Sequence, residues 1–276
     1  MNDSPAPATP FDAQAYLRRI GLKSSPHADF AGLQALFHAQ LRAIPFENFD
    51  VLLGRPIALH PAAIFAKLVH RRRGGYCFEL NGLFLHALHA FGFSARPLLA
   101  RVCRDGIPLG RGHQISLVTL GATRWLLDVG FGAPHLPGPM PLTLHHPFGA
   151  AHERFRLTAT PPYGIMLQQE KAEAWNDLYC FDLGHVCDGD IAYANHYTST
   201  HPASFFTTHR VAALATETGR VSLLDTTLRR ITREGEELVE VAEGEDYLET
   251  LRRLFAIDLG EDGHRLPALA AAARKP

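Results

Sequence analysis

One cysteine, one histidine and one aspartate in this chain have the types and settings of a nucleophile, its base and a carboxylate that orients the base. Cys77 lies in the run Arg72-Arg73-Gly74-Gly75-Tyr76-Cys77-Phe78-Glu79-Leu80-Asn81, just after two glycines and at the start of an apolar helix. First-turn N–H groups lack intrahelical partners and carry the positive end of the macrodipole, so a thiolate there is stabilised relative to the thiol. Such a nucleophile needs a base within hydrogen-bond reach and a third group that fixes the base's tautomer. His113 opens a β-type run after Gly110-Arg111-Gly112, and Asp128 lies near the end of the next run, with the turn Gly121-Ala122 between them. A hairpin can bring the two together at one sheet end. Asp128 is also the only charge in Trp125-Leu126-Leu127-Asp128-Val129-Gly130-Phe131-Gly132, and a carboxylate in so apolar a strand needs a partner. Taken singly, each residue has an ordinary reading: a buried core thiol, one of 16 histidines, a turn carboxylate.

The elements that must position these residues follow from the pattern. A first helix reads from a Thr9 cap with Pro10 at its first position, through Leu17 and Ile20, to Gly21. A second runs from an Asp29 cap through Leu33, Leu36, Phe37 and Leu41 to Ile44-Pro45, and a third from His60-Pro61 through Ile64, Leu68 and Val69 to Arg71. The fourth begins at Cys77, ends at Gly92 and is apolar around most of its girth, which predicts a central, buried helix. From about Ala95 the period changes to strands: 96–102, 113–120, 123–129, 155–160, 165–169 and 175–181 predict an antiparallel sheet or small barrel. Runs 211–216, 221–231 and 238–241 continue as a meander before a closing helix over 245–257. Helices first and strands later predict an α+β chain rather than alternating βαβ units.

Composition removes several classes of function. Among 276 residues, 27 Lys and Arg against 28 Asp and Glu leave a formal net charge of -1, so no global field draws the chain to nucleic acid or an anionic membrane. The triple Arg71-Arg72-Arg73 is accounted for by a helix C-terminus and one ion pair. The longest apolar runs are far shorter than the roughly 20 residues that span a bilayer. The first ten residues hold three prolines and no signal-type apolar run, and read as a tail. Cys77, Cys103, Cys180 and Cys187 are too few for a disulfide scaffold and show no C-x-x-C spacing, and His145, His146 and His152 fit no zinc pattern. A reducing, cytoplasmic setting without a metal is expected.

Several blocks, in order and spacing, resemble the arylamine N-acetyltransferases. They are Ile44-Pro45-Phe46-Glu47-Asn48, Arg73-Gly74-Gly75-Tyr76-Cys77-Phe78-Glu79-Leu80-Asn81, His113 at its strand start, Asp128-Val129-Gly130-Phe131-Gly132, and Asn195 with Ser199-Thr200-His201-Pro202-Ala203-Ser204-Phe205-Phe206. The likeness covers nearly the whole chain, and the lack of a long insertion before the last portion matches the bacterial type. Phe49 and Gly112 depart from residues common in that family.

The resemblance implies an α+β, cysteine-protease-like (transglutaminase-like) core: an N-terminal helical bundle (1–94) carrying the nucleophile, a central β-barrel (95–205) carrying His113 and Asp128, and a C-terminal α/β lid (206–276). It implies a ping-pong acyltransferase in which acetyl-CoA acylates Cys77, His113 is the base and Asp128 orients it, and an arylamine, arylhydroxylamine or hydrazine then takes the acetyl group. Phe46, Phe131 and Phe206 match acceptor-pocket positions. Gly110 and Arg111 match a loop that approaches coenzyme A, and Glu47, Arg73 and Asn81 match structural support. Small molecules are the implied partners, and a homodimer is compatible with the resemblance. A thiol hydrolase, an amide synthase on the same triad, and a non-catalytic aromatic-ligand binding module stay open as alternatives.

Overall fold

The protein is described by a computed structural model covering residues 11–150 and 153–267. Its helices gather at the N-terminal end. The first, Ala13–Ile20, is capped by Asp12, whose carboxylate accepts from the Ala15 N–H at 2.9 Å, and it ends at Gly21 in the left-handed region. The helix therefore starts later than a Thr9–Pro10 cap predicts, and those two residues lie outside the described ones. Phe30–Ala43 starts at Asp29, as the capping pattern predicts. The third segment differs from its expected form: an α-turn over Pro61–Phe65 widens into a π-turn over Ala66–His70. Lys67, inside that wider turn, is buried against two carboxylates.

Cys77–Ala90 is the central helix, with 11 of its 14 residues buried. Burying Phe78, Leu80, Leu83, Phe84 and Leu88 contributes about 1.5–3 kcal/mol each. That fixes the register of the whole helix, Cys77 included.

A sheet follows whose spatial order is Met140–Pro141, Thr123–Leu127, His113–Leu120, Ser94–Arg104, Ala174–Phe181, Gly164–Lys171, Glu153–Thr160 and Phe148–Ala150, with Ile107–Pro108 appended to Ser94–Arg104. All neighbours are antiparallel. Just past Met140–Pro141, Leu144 bridges to Leu157 near the far edge, so the sheet curls until it nearly closes as a barrel. A helix that the strand pattern did not predict, Asp188–Thr200, leads away from it.

The second sheet has the order Phe46–Glu47, Val211–Ala215, Gly219–Leu224, Thr227–Thr232 and Gly235–Glu240. The run 221–231 is two strands, because Asp225 turns the chain with φ 53°. The closing helix Glu245–Phe255 lays Tyr247, Leu248, Leu251 and Phe255 on this sheet over a core shared with Phe49, Val221 and Leu228. The first strand of this sheet comes from the helical end of the chain.

Candidate active site

Two close backbone approaches set the position of Cys77. Gly75 accepts from the Glu47 N–H at 2.9 Å and pairs with Phe46 in a parallel bridge. A Cβ on Gly74 would stand 2.3 Å from the Pro45 carbonyl oxygen, and one on Gly75 would stand 2.7 Å from Glu79 Oε2. Only glycine allows the approach that joins the two sequence blocks. Tyr76 is the residue before the helix, and its N–H donates to Glu79 Oε2 at 3.1 Å. Cys77 is then the first helical residue, where its amide and that of Phe78 have no intrahelical acceptor.

Beneath this turn lies a buried ion network. Arg73 grips Glu47 with two bonds, Nε–Oε1 at 2.8 Å and Nη2–Oε2 at 2.7 Å, and reaches Asp50 at 3.4 Å. Lys67 Nζ meets Asp50 at 2.7 Å and Glu79 at 2.8 Å. The single Glu47–Arg73 pair is thus part of a larger network, which the more exposed Arg55 extends from Asp50 at 3.5 Å to Asp262 at 2.7 Å. Burial would lower the Lys67 pKa, but the facing Glu79, Glu47 and Asp50 outweigh it and raise the value. For Glu79 burial wins over Lys67, and its pKa is raised.

His113 and Asp128 meet as the hairpin predicts. His113 Nε2 lies 2.7 Å from Asp128 Oδ2, and both side chains are almost wholly buried. The other carboxylate oxygen accepts from Asn81 Nδ2 and from the Gly130 N–H, each at 3.0 Å. Asn81 also donates to the Gln114 carbonyl at 2.7 Å and accepts from the Val129 N–H at 3.1 Å. One turn along the Cys77 helix, this amide therefore ties the helix to both strands. Burial alone would lower the His113 pKa; the charge and hydrogen bond of Asp128, then the Cys77 side chain, raise it to about 10. Burial would raise the Asp128 pKa, and His113, Asn81 and the Gly130 N–H together hold it below the usual carboxylate range. The raised value favours the imidazolium, and the Cys77 Sγ lies 3.9 Å from the carbonyl oxygen of Gly112, the residue just before His113.

Two contributors carry little local sequence signal. A Cβ on Gly130 would come 2.6 Å from Asn81 Nδ2 and 3.0 Å from Cys77 Cα, so glycine is required for the aspartate loop to lie on the helix. Gly130 was visible only as part of its block. Tyr179 packs its ring 5.2 Å from both His113 and Phe131, and nothing in its own strand marks it.

A cavity of about 1630 Å³ opens over these groups. Cys77, His113, Phe46, Phe131 and Phe206 all line it, and the rings of Phe46 and Phe206 stand 5.8 Å apart. Phe131 meets His113 edge-on at 5.2 Å. Gly110 and Arg111 also line it, but the Arg111 guanidinium is engaged by Asp182. The unpredicted helix supplies Tyr193, Tyr197 and Thr198 to another wall, and its buried Asn195 accepts from the Tyr76 hydroxyl. The volume exceeds the roughly 300–1,000 Å³ of a usual small-ligand pocket.

The chain was compared with known proteins. A family profile described as N-acetyltransferase matches residues 29–264. An arylamine N-acetyltransferase of Mycolicibacterium smegmatis is 38% identical over 257 residues, covering 91% of this chain and 93% of that protein. A Salmonella typhimurium protein named arylamine N-acetyltransferase / N-hydroxyarylamine O-acetyltransferase is 39% identical, over 71% of this chain and 70% of its own length. The arylamine N-acetyltransferase of Mycobacterium marinum, solved in complex with CoA, superposes with a TM-score of 0.87 at 32% identity, covering 92% of this chain and 97% of that one. The resemblance read from a few blocks thus extends through the sequence and the whole architecture, and the chain belongs to the arylamine N-acetyltransferase family, bacterial type, as an acyltransferase.

Proposed function

We propose that the protein moves an acetyl group from acetyl-CoA through a Cys77 thioester to an arylamine, arylhydroxylamine or hydrazine. The observation that carries this reading is the line Cys77, His113, Asp128 at the start of a buried helix, inside a cavity with aromatic walls. In the first half-reaction the Cys77 sulfur attacks the acetyl carbonyl and a carbon–sulfur bond forms. The amides of Cys77 and Phe78 face the charge that develops on oxygen. The bond to the coenzyme sulfur breaks, and the proton held by His113 leaves with the coenzyme thiol. One thioester replaces another, so the step has little thermodynamic cost. In the second half-reaction the acceptor nitrogen or oxygen attacks the acetyl-cysteine, His113 takes its proton, and the thiolate returns beside the imidazolium.

Asp128 holds His113 in one tautomer and supports its positive charge. Asn81 and the Glu47–Arg73 pair position these groups. Phe46, Phe131 and Phe206 would pack on a flat aromatic acceptor. Gly110 would let the coenzyme approach, and Arg111 would meet a phosphate only by exchanging Asp182 for it. The cavity's size supports successive occupation by a nucleotide-bearing donor and a small acceptor. Every group used comes from one chain, so the chemistry needs no second copy. The division at 94/95 and 205/206 belongs to this proposal, with Phe46–Glu47 contributed by the first portion to the sheet of the third. A reducing, cytoplasmic setting would keep the Cys77 sulfur from oxidation.

Intact mass spectrometry after addition of acetyl-CoA tests the reading. We expect one acetyl group, mapped to the Cys77 peptide and discharged by an aromatic hydrazine, and none in Cys77→Ala. Coenzyme release without an acetylated hydrazine would reassign the protein as a hydrolase. Unmodified wild-type protein would leave only a binding module.

A further inference from the structure

Sequence spacing gives no metal motif, yet the barrel sheet brings three sulfur atoms together away from the cavity. Side chains alternate along a strand, so Cys180 points to the face opposite Tyr179. On that face Cys180 lies directly across from Met166 on one neighbouring strand and from Arg101 on the other. Cys103, two residues beyond Arg101, shares the face. Its Sγ lies 3.7 Å from Met166 Sδ, and Met166 stands directly across from Cys180. We propose that Cys103, Cys180 and Met166 form a binding site for one soft monovalent metal ion, of which Cu(I) is the natural fit.

Geometry and charge both select that class. With metal–sulfur bonds of about 2.3 Å, three sulfurs placed around one ion in a plane stand about 4 Å apart. The Cys103–Met166 separation is already close to this. A set of two thiols and one thioether is soft and suits Cu(I). A closed zinc site wants four nitrogen or sulfur donors, and among the described residues no group of three His, Cys, Asp or Glu is arranged to hold an ion. A disulfide is the poorer alternative: diagonal neighbours on paired strands stand about 7–8 Å apart, and beyond about 7 Å between Cα atoms a disulfide requires backbone movement.

Loading forms two Cu–thiolate bonds and one Cu–thioether bond. Each thiol releases its proton to solvent, no oxidation state changes, and the assembled centre carries one negative charge. The charge of Arg101 acts on Cys180 and offsets it. Cys103 is partly exposed while Cys180 and Met166 are buried, which gives an ion an entry from the Cys103 side.

The test is an anaerobic Cu(I) titration against a chromophoric Cu(I) chelator. The full chain is used with Cys77→Ala and Cys187→Ser, so that Cys103 and Cys180 are the only thiols. One ion should bind per chain, with a near-ultraviolet thiolate-to-copper band. Cys103→Ser or Cys180→Ser should weaken binding at least a hundredfold and remove the band, and Met166→Leu should weaken it about tenfold. Met166→Leu is volume-conserving, so it remains informative if a serine variant does not fold. Failure to compete with the chelator, or unchanged affinity in Met166→Leu, overturns the site. A Cys103–Cys180 disulfide in protein purified under air and resistant to Cu(I) would do the same.

Discussion

Asp128 receives three hydrogen bonds without exposing a face to water, and His113 owes both its orientation and its raised pKa to that arrangement. Asp128→Asn keeps the shape but cannot stabilise an imidazolium. We expect acetyl transfer to fall by about 10³–10⁴ while the circular dichroism spectrum stays native. The same pair makes stability depend on pH. The His113 pKa is raised from 6.5 to about 10, so the folded chain holds a proton there that the unfolded chain gives up earlier. Its stabilisation is full below the unfolded value and disappears as pH rises through about 10. Asp128, with a lowered pKa, contributes above the ordinary carboxylate value, and that contribution is lost as pH falls through its folded one. The melting-temperature gap between wild type and His113→Gln should thus be wide near pH ~6 and shrink toward pH ~10. An unchanged gap would show that the pair does not hold the extra proton.

The helix that presents Cys77 stands on charges rather than on hydrocarbon alone. Lys67 satisfies two carboxylates, one of which, Glu79, holds the N–H of Tyr76 immediately before Cys77. Lys67→Met fills the same space but leaves the buried Glu79 without a cation and takes from Asp50 its nearest one, and should cost about 3–5 kcal/mol in urea unfolding. A loss below about 1 kcal/mol would mean that water replaces the lysine. This network explains what the sequence could not reveal. Its members are spread from Glu47 to Glu79, and Lys67 lies inward only because the chain forms a π-turn there. The helix Cys77–Ala90 was legible because nearly every position is apolar, and His113–Leu120 because it is bounded by turn residues. Helix Asp188–Thr200 was not. It buries little besides Asn195 and Thr198, and its Thr, Asn, His and Tyr are modest helix formers, so neither period nor propensity marks it.

Across the whole molecule, Asn48 connects distant parts of the chain. Its buried amide donates to the carbonyls of Phe206 and His209 and accepts from the Val211 N–H, each at 2.8 Å. Asn48→Ala leaves those groups unpaired and frees the segment that carries Phe206. Acetylation of Cys77 should proceed near the wild-type rate in single-turnover mass spectrometry, while the KM for an aromatic hydrazine rises several-fold. Equal losses in both half-reactions would show that Asn48 supports the fold rather than the acceptor wall. The order of helices before strands was legible as a class. The exchange of one strand between the ends was not, because Phe46–Glu47 is two residues long and finds its partner only in three dimensions.

That exchanged strand also orders events during synthesis. Phe46 and Asn48 leave the ribosome with the cysteine helix, but Asn48 must wait for Phe206, 158 positions later. At about 5–20 residues per second the interval is on the order of 10 s. Through that interval the nascent chain carries its thiol without the aromatic wall or the second sheet. The wall on which an acceptor would pack therefore arrives late, when the C-terminal third threads home against a strand made at the beginning.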